Sequence, residues 1–270
     1  MFEYEFMRNA FVAGGCVAIV AGIAGFFLVL RGQTFAGHAL SHVGFAGATG
    51  AVLFGLSPVG GLLAATVFAG IGMGLFGDRL AGRDVAIGMV LSVALGFGML
   101  FLHFYTSYAA QATALLFGNV LGVSANTLWT LAALALASLM AIIVLARPLI
   151  FASLQPELAE AKGVSVRLTS VGFLMIVAIV TAACVQIVGV LLVFTLMVGP
   201  AATALRLTNR LKSAIVLSGL LAICYTWLGI ALAYYSDWPT SFWITALSGF
   251  TYLITIMSQR IMRPLAITES

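Results

Sequence analysis

Two histidines four residues apart, His38 and His42, stand in the run Gly37-His38-Ala39-Leu40-Ser41-His42-Val43-Gly44. On a helix that spacing stacks both imidazoles on one face, one turn apart. Both can then reach one divalent cation. Imidazole is a good ligand for zinc, copper, iron or nickel, and a neutral ring binds metal where a protonated one does not. The chain has only 3 histidines, so a pair inside an apolar segment is a costly feature that asks for a use. A hydrogen-bonded structural pair is the alternative. The third, His103 beside Phe104, suits a membrane interface better than a site.

The elements that must position this pair are membrane helices. Of 270 residues, 63% are hydrophobic and 7% charged, where a soluble domain carries roughly 25% charge. Mean hydropathy is +1.17. These values exclude a soluble enzyme, a secreted disulfide scaffold and a nucleic-acid-binding domain, so no nucleic-acid partner is expected. Cys16, Cys184 and Cys224 lie in apolar runs without a CxxC pair and read as small core residues. Glu3 and Glu5 precede the first apolar run and no small-residue cleavage site follows it, so that run is read as a retained span. No extramembrane segment is long enough to be a domain. Residues 1–270 form one transmembrane unit.

A span needs about 20 apolar residues, and runs of that kind occur near 8–30, 39–57, 59–77, 85–105, 127–146, 169–205, 213–235 and 240–259. The run at 169–205 is nearly two membranes long at about 1.5 Å per residue. It is either two short spans or one broken helix, giving an all-α bundle of eight to nine spans. Charge arbitrates. If the N-terminus is outside and 169–205 crosses twice, Arg31, Arg79, Arg83, Arg147, Lys162, Arg167, Arg206, Arg210, Lys212, Arg260 and Arg263 are all cytoplasmic. Only Arg8 remains outside, a strong positive-inside pattern. Nine spans are preferred, with the C-terminus cytoplasmic. Tyr105 and Tyr108 suit an interface belt, and the Ala-rich stretch 109–121 suits a short helix dipping into the membrane.

Three further patterns carry information. In the inner segment 155–164, Pro156 suits a first helical turn, Glu157 and Glu160 its start, and Gly163 its end. This predicts a short amphipathic helix on the cytoplasmic face, of the kind a membrane subunit offers to a cytoplasmic motor. Gly189 in the 169–205 run, and Gly199-Pro200 with Thr203 beyond it, predict a broken or kinked helix. Broken helices at membrane depth commonly line a substrate path. Finally, Gly14, Ala18 and Gly22, and separately Gly70 and Gly74, are spaced for close helix packing.

Taken together, these segments resemble the membrane permease subunit of metal-ion ABC importers, which take up zinc, manganese or iron from a periplasmic or surface binding protein. The resemblance spans about residues 10–260. It is carried by 37–42, by Arg83-Asp84, by Leu116-Phe117-Gly118-Asn119, by 156–163 and by 188–204. In that family the pattern at the second span reads Gly-Asp-x-x-x-His. His42 matches the histidine and His38 stands where the aspartate is expected, which by ligand preference moves selectivity from manganese towards zinc. Asn119 stands where the family often has Asp. Pro156, Glu157, Glu160 and Gly163 resemble the coupling helix that docks on the ATPase. Gly189, Gly199, Pro200 and Thr203 fall in a segment near the translocation path.

The resemblance implies two ATP-binding cassette subunits, a metal-binding protein, a second copy of this chain about a twofold axis, and a bacterial inner membrane. It implies no resident cofactor, the metal being cargo. The sequence has no Gly-x-x-x-x-Gly-Lys-Ser/Thr phosphate loop, so the chain is not expected to hydrolyse ATP and is not itself an enzyme. An ion-coupled secondary transporter is one rival, with Asp84 as the only acid near a span. An intramembrane protease using Ser41 and a histidine is another.

Overall fold

The computed structural model describes residues 1, 3–76, 83–104 and 115–262. Arg79, Tyr105, Tyr108, Arg263 and residues 109–114 of the Ala-rich stretch lie outside the described residues. Every regular element among the described residues is helical: α1 (Glu5–Leu30), α2 (Thr34–Leu53), α3 (Pro58–Phe76), α4 (Arg83–His103) and a 3-10 turn at Val120–Gly122 come first. They are followed by α5 (Ala125–Leu154), α6 (Pro156–Ala161), α7 (Val166–Val188), α8 (Val193–Leu207), α9 (Leu211–Ser236) and α10 (Thr240–Met262). Seven of these are long and apolar enough to cross a membrane, namely α1, α3, α4, α5, α7, α9 and α10. α2 has the length but is diluted by glycine, alanine and two histidines, and α8 has 15 residues.

Local chemistry explains where the helices depart from the apolar runs. α2 starts at Thr34, five residues before its run, because the chain leaves α1 through a closed turn. Gly32 takes φ +62°, and the Gln33 N–H donates to the Leu28 carbonyl at 2.8 Å. α5 continues beyond its run to Leu154 with Pro148 inside it. The long run at 169–205 forms two helices, and the interruption is at 189–192, where Gly189 takes φ +76°. The break expected at Gly199-Pro200 does not occur, since α8 is continuous through both. A membrane-helix proline gives up one N–H that its surroundings can offset. A positive φ, in contrast, is a helix-ending conformation that glycine adopts freely.

Side-chain contacts fix the direction of each helix. Phe6, residues 117–121, Ile187, Ala233 and residues 237–241 line one cavity of about 520 Å³ at one end. At the other end Arg31 bonds Ser153 and Ser170, and Arg206 meets Gln259. Gly44 and Gly47 of α2 face Thr66 and Ala65 of α3, an antiparallel register, while Gly50 and Phe45 face Phe101 and Gly98 of α4, a parallel one. The helices other than α6 therefore alternate between the two ends. α7 runs to the cavity end and α8 runs back.

The core sits around α1 and α7. In each, 72% of the most apolar window is buried, against 17% for α4, which lies at the periphery. Small residues allow this. A Cβ on Gly14 would lie 2.9 Å from Thr226 of α9, Gly22 faces the Ser218 backbone, and the Ser218 hydroxyl donates to the Gly22 carbonyl at 2.6 Å. Gly70 and Gly74 of α3 face Leu174 and Val171 of α7. Both ladders read from sequence are interhelical contacts. The tightest lies one turn further along α1, where Gly25 meets the Met197 backbone of α8.

Gly25→Ala should cost about 1–3 kcal/mol, because the added methyl overlaps backbone that has to move. Gly72→Ala on α3 adds its methyl to open space and should leave stability unchanged or slightly raised. Thermal unfolding of both variants in detergent checks the contrast. Equal midpoints would show that α1 and α8 are not in close contact.

Candidate functional site

α2 brings His38 and His42 together as the spacing requires. Their ring centroids are 4.8 Å apart with the planes at 84°. His42 is buried and His38 half-buried. Gly37, just before them, lets the Leu28 side chain of α1 pack against the helix, which holds the first turn of α2 to the end of α1. Aromatic rings enclose His38. Phe35 lies 6.3 Å away on the same helix, and Phe194, in the first turn of α8, lies edge-on at 5.6 Å.

The polar accounting of the pair is open on one side. His38 Nδ1 is buried and has no hydrogen-bond partner among the described residues. A buried nitrogen of that kind is uncommon in folded proteins. Ser41 offers no competition, because its hydroxyl donates to the His38 backbone carbonyl at 2.8 Å. It is not poised against an imidazole, which removes the basis for a Ser41 nucleophile. Among the described residues no three His, Cys, Asp or Glu side chains come together. His38 and His42 thus supply two imidazoles, half of the four ligands that zinc usually takes.

The remaining candidates fall elsewhere. α6 begins with Pro156 in its first turn and Glu157 next to it. It ends in a complete Schellman motif, with Gly163 at φ +81°, its N–H bonded to Glu160 and the Val164 N–H bonded to Ala159, each at 2.9 Å. Glu157 and Glu160 are exposed and Ala159 is fully buried, so the helix presents its acids outward at the Arg31 end. Gly189 packs on Gly118, both at positive φ, and the Val190 and Leu191 N–H groups donate to the Leu115 and Leu116 carbonyls. Segment 115–119 thereby braces the α7–α8 break. Gly199 faces Ser248 of α10, Pro200 is buried, and the Thr203 hydroxyl donates back to the Gly199 carbonyl at 2.9 Å. Of these three, Gly199 sets α8 against α10.

Sequence reasoning missed Phe194. It lies inside the segment singled out at 188–204, but nothing local marks it. Only the fold shows that α8 begins over His38. Asn119 proves to have a local task, since its Oδ1 accepts the Gly122 N–H at 3.0 Å and caps the 3-10 turn.

The described residues thus form a many-helix bundle of membrane type, with a helix break braced inside it and a histidine pair set against that broken element. The chain belongs to the ABC 3 transport family, whose sequence profile matches residues 3–259. The resemblance to metal-importer permeases therefore holds. It is 29% identical over 235 residues to the "Manganese transport system membrane protein MntC" of Listeria monocytogenes, covering 87% of this chain and 84% of that one. It is 28% identical over 261 residues to the "Probable iron transport system membrane protein" of Haemophilus influenzae, covering 96% of each. Among solved structures, "PsaBC from Streptococcus pneumoniae in complex with Fab" superposes with a TM-score of 0.84 at 27% identity, over 93% of this chain and 91% of that one. These names carry manganese and iron; zinc, the metal expected from the imidazole pair, is in none of the three.

The turn geometry gives a test. Asn119→Asp keeps an oxygen that can accept the Gly122 N–H and should be stable, while Asn119→Ala should cost about 1 kcal/mol as a lost cap. Gly189→Ala forces an L residue to φ +76° against the Gly118 backbone and should be the most damaging of the three. Unfolding midpoints in detergent give the order, and a stable Gly189→Ala would contradict this packing.

Proposed function

We propose that this chain is the membrane permease of an ATP-driven importer that carries a divalent first-row transition metal into the cytoplasm. Its place is the bacterial inner membrane. The observation that carries this reading is the His38–His42 pair, two imidazoles edge-on to each other with an unpartnered nitrogen, in a mostly apolar helix. The relatives named for manganese and iron transport support the cargo class. The absent phosphate loop and the outward acids of α6 support partners that hydrolyse ATP on the Arg31 side. Two copies about a twofold axis would bring four imidazoles to one path, which completes a tetrahedral set.

Between the metals, the donor set favours zinc. An imidazole stands where the family pattern has a carboxylate, and nitrogen ligands suit zinc, while carboxylate oxygens suit manganese. Uptake by the reconstituted complex with zinc and manganese in competition decides this. Zinc should win in the natural sequence, and His38→Asp should shift preference towards manganese. The His38→Ala, His42→Ala double variant should lose nearly all uptake at normal expression. Unchanged uptake there would leave the pair structural and the cargo unassigned.

We further infer nine crossings, with the N-terminus outside and the C-terminus cytoplasmic. The alternating helix directions support it, as does the gathering of Arg31, Lys162, Arg167, Arg206, Arg210, Lys212 and Arg260 towards one end. α8 spans only about 22 Å of a core about 30 Å thick, so the 189–192 break lies below the outer surface, under residues 115–119. A cysteine placed in the 206–212 loop should be labelled from the cytoplasm only, and one at Asp237 from outside only. The reverse result at either position overturns the topology.

A further inference from the structure

Arg31 is the one basic residue of the α1–α2 turn, and its guanidinium ties that turn to two other helices. Nη1 donates to the Ser153 hydroxyl at 3.2 Å, and Nη2 donates to the Ser170 hydroxyl at 2.6 Å. The same group lies 5.9 Å from the centroid of the Phe173 ring, which in turn packs edge-on against Phe27 of α1. Ser153 is the last residue but one of α5, and Ser170 lies just beyond the first turn of α7. These are the two helices between which α6 is slung.

There is little slack on either side of that sling. Gln155 both ends α5 and precedes the first residue of α6. After the Schellman turn at Gly163, Ser165 already caps α7, its hydroxyl accepting the Leu168 N–H at 3.2 Å. A push on α6 is therefore a push on the ends of α5 and α7 that Arg31 holds. On its other side, Arg31 leads into a closed turn. The Arg31 N–H donates to Phe27 at 3.0 Å, the Gln33 N–H donates to Leu28 at 2.8 Å, and Gln33 is buried. α2 starts at the next residue, and His38 is one turn in.

We propose that Arg31 is a positioning residue that links α6 to the His38–His42 pair, so that displacement of α6 by the ATPase shifts α2 against α8 and alters the grip of the pair on its ion. The inference deepens the permease reading and rests on it. The forked guanidinium is what the task requires. It presents donors in two directions from a fixed plane, whereas an ammonium on a flexible stem is a point charge. Charge-assisted hydrogen bonds of this kind are also stronger than neutral ones.

The test uses the full complex, with ATPase and binding protein, in proteoliposomes. Uptake of whichever metal the natural sequence accumulates, zinc or manganese, is measured beside ATP hydrolysis in the same vesicles. Arg31→Gln and the Ser153→Ala, Ser170→Ala double variant should lower the metal ions moved per ATP at least about fivefold, within the usual range of coupling between sites. Complex assembly should be retained, and Arg31→Lys should restore only part of the ratio. The serine variant is decisive if Arg31→Gln fails to assemble, because it removes two hydroxyls and leaves the packing in place. A natural ratio in the serine variant overturns the proposal, whether uptake and hydrolysis stay normal or fall in step. Absence of ATP-dependent uptake in the natural complex would instead sink the permease reading itself, and this inference with it.

Discussion

The approach of α1 to α8 at Gly25 governs the rest of the arrangement. A side chain there would overlap the Met197 backbone, so glycine alone lets the two helices lie in contact. Met197 is one turn beyond Phe194, and seating α8 on α1 therefore places the Phe194 ring against His38. The same helix α1 carries Leu28, over which Gly37 of α2 fits. A lipid-facing bundle gains little from hydrophobic association, since the tails are as apolar as leucine, and it relies on packing of this kind. Backbone contacts at Gly22, Gly25, Gly70 and Gly74 do here what an apolar core does in a soluble domain.

The histidine pair was legible because its information is local. Two rings four residues apart on a helix must share one face, whatever surrounds them. The α6 turn was legible for the same reason, with Pro156 and Gly163 as punctuation. Phe194 was not, because its role is set by a contact between residues more than 150 positions apart. The helix break was read in the right run but partly at the wrong place. Proline looks the stronger breaker in sequence, yet Pro200 sits inside α8, and the interruption is at Gly189, where backbone donors find carbonyls at Leu115 and Leu116. Asn119 stood out only as standing where the family often has Asp, and it is a turn cap.

The site's chemistry also explains why one chain looks incomplete. Among the described residues of one chain, no third His, Cys, Asp or Glu joins the two imidazoles, so the four-imidazole set of the proposed transporter depends on a second copy. Transport needs binding that can be undone. The aromatic rings at His38 add an apolar wall without adding a donor, and one of them, Phe194, comes from α8, so the surroundings of the pair depend on how α2 and α8 stand to each other.

Gly118 and Gly189 touch backbone to backbone, each in a conformation that other residues rarely adopt. A contact between two side chains can drift over evolutionary time, because a loss of volume on one side can be made good on the other. This one has no volume to trade. Any first substitution at either position meets the full steric cost before a second could relieve it, and no second side chain is smaller than the hydrogen already there. Stepwise variation is therefore costlier at these two positions than in the helices on either side of the latch.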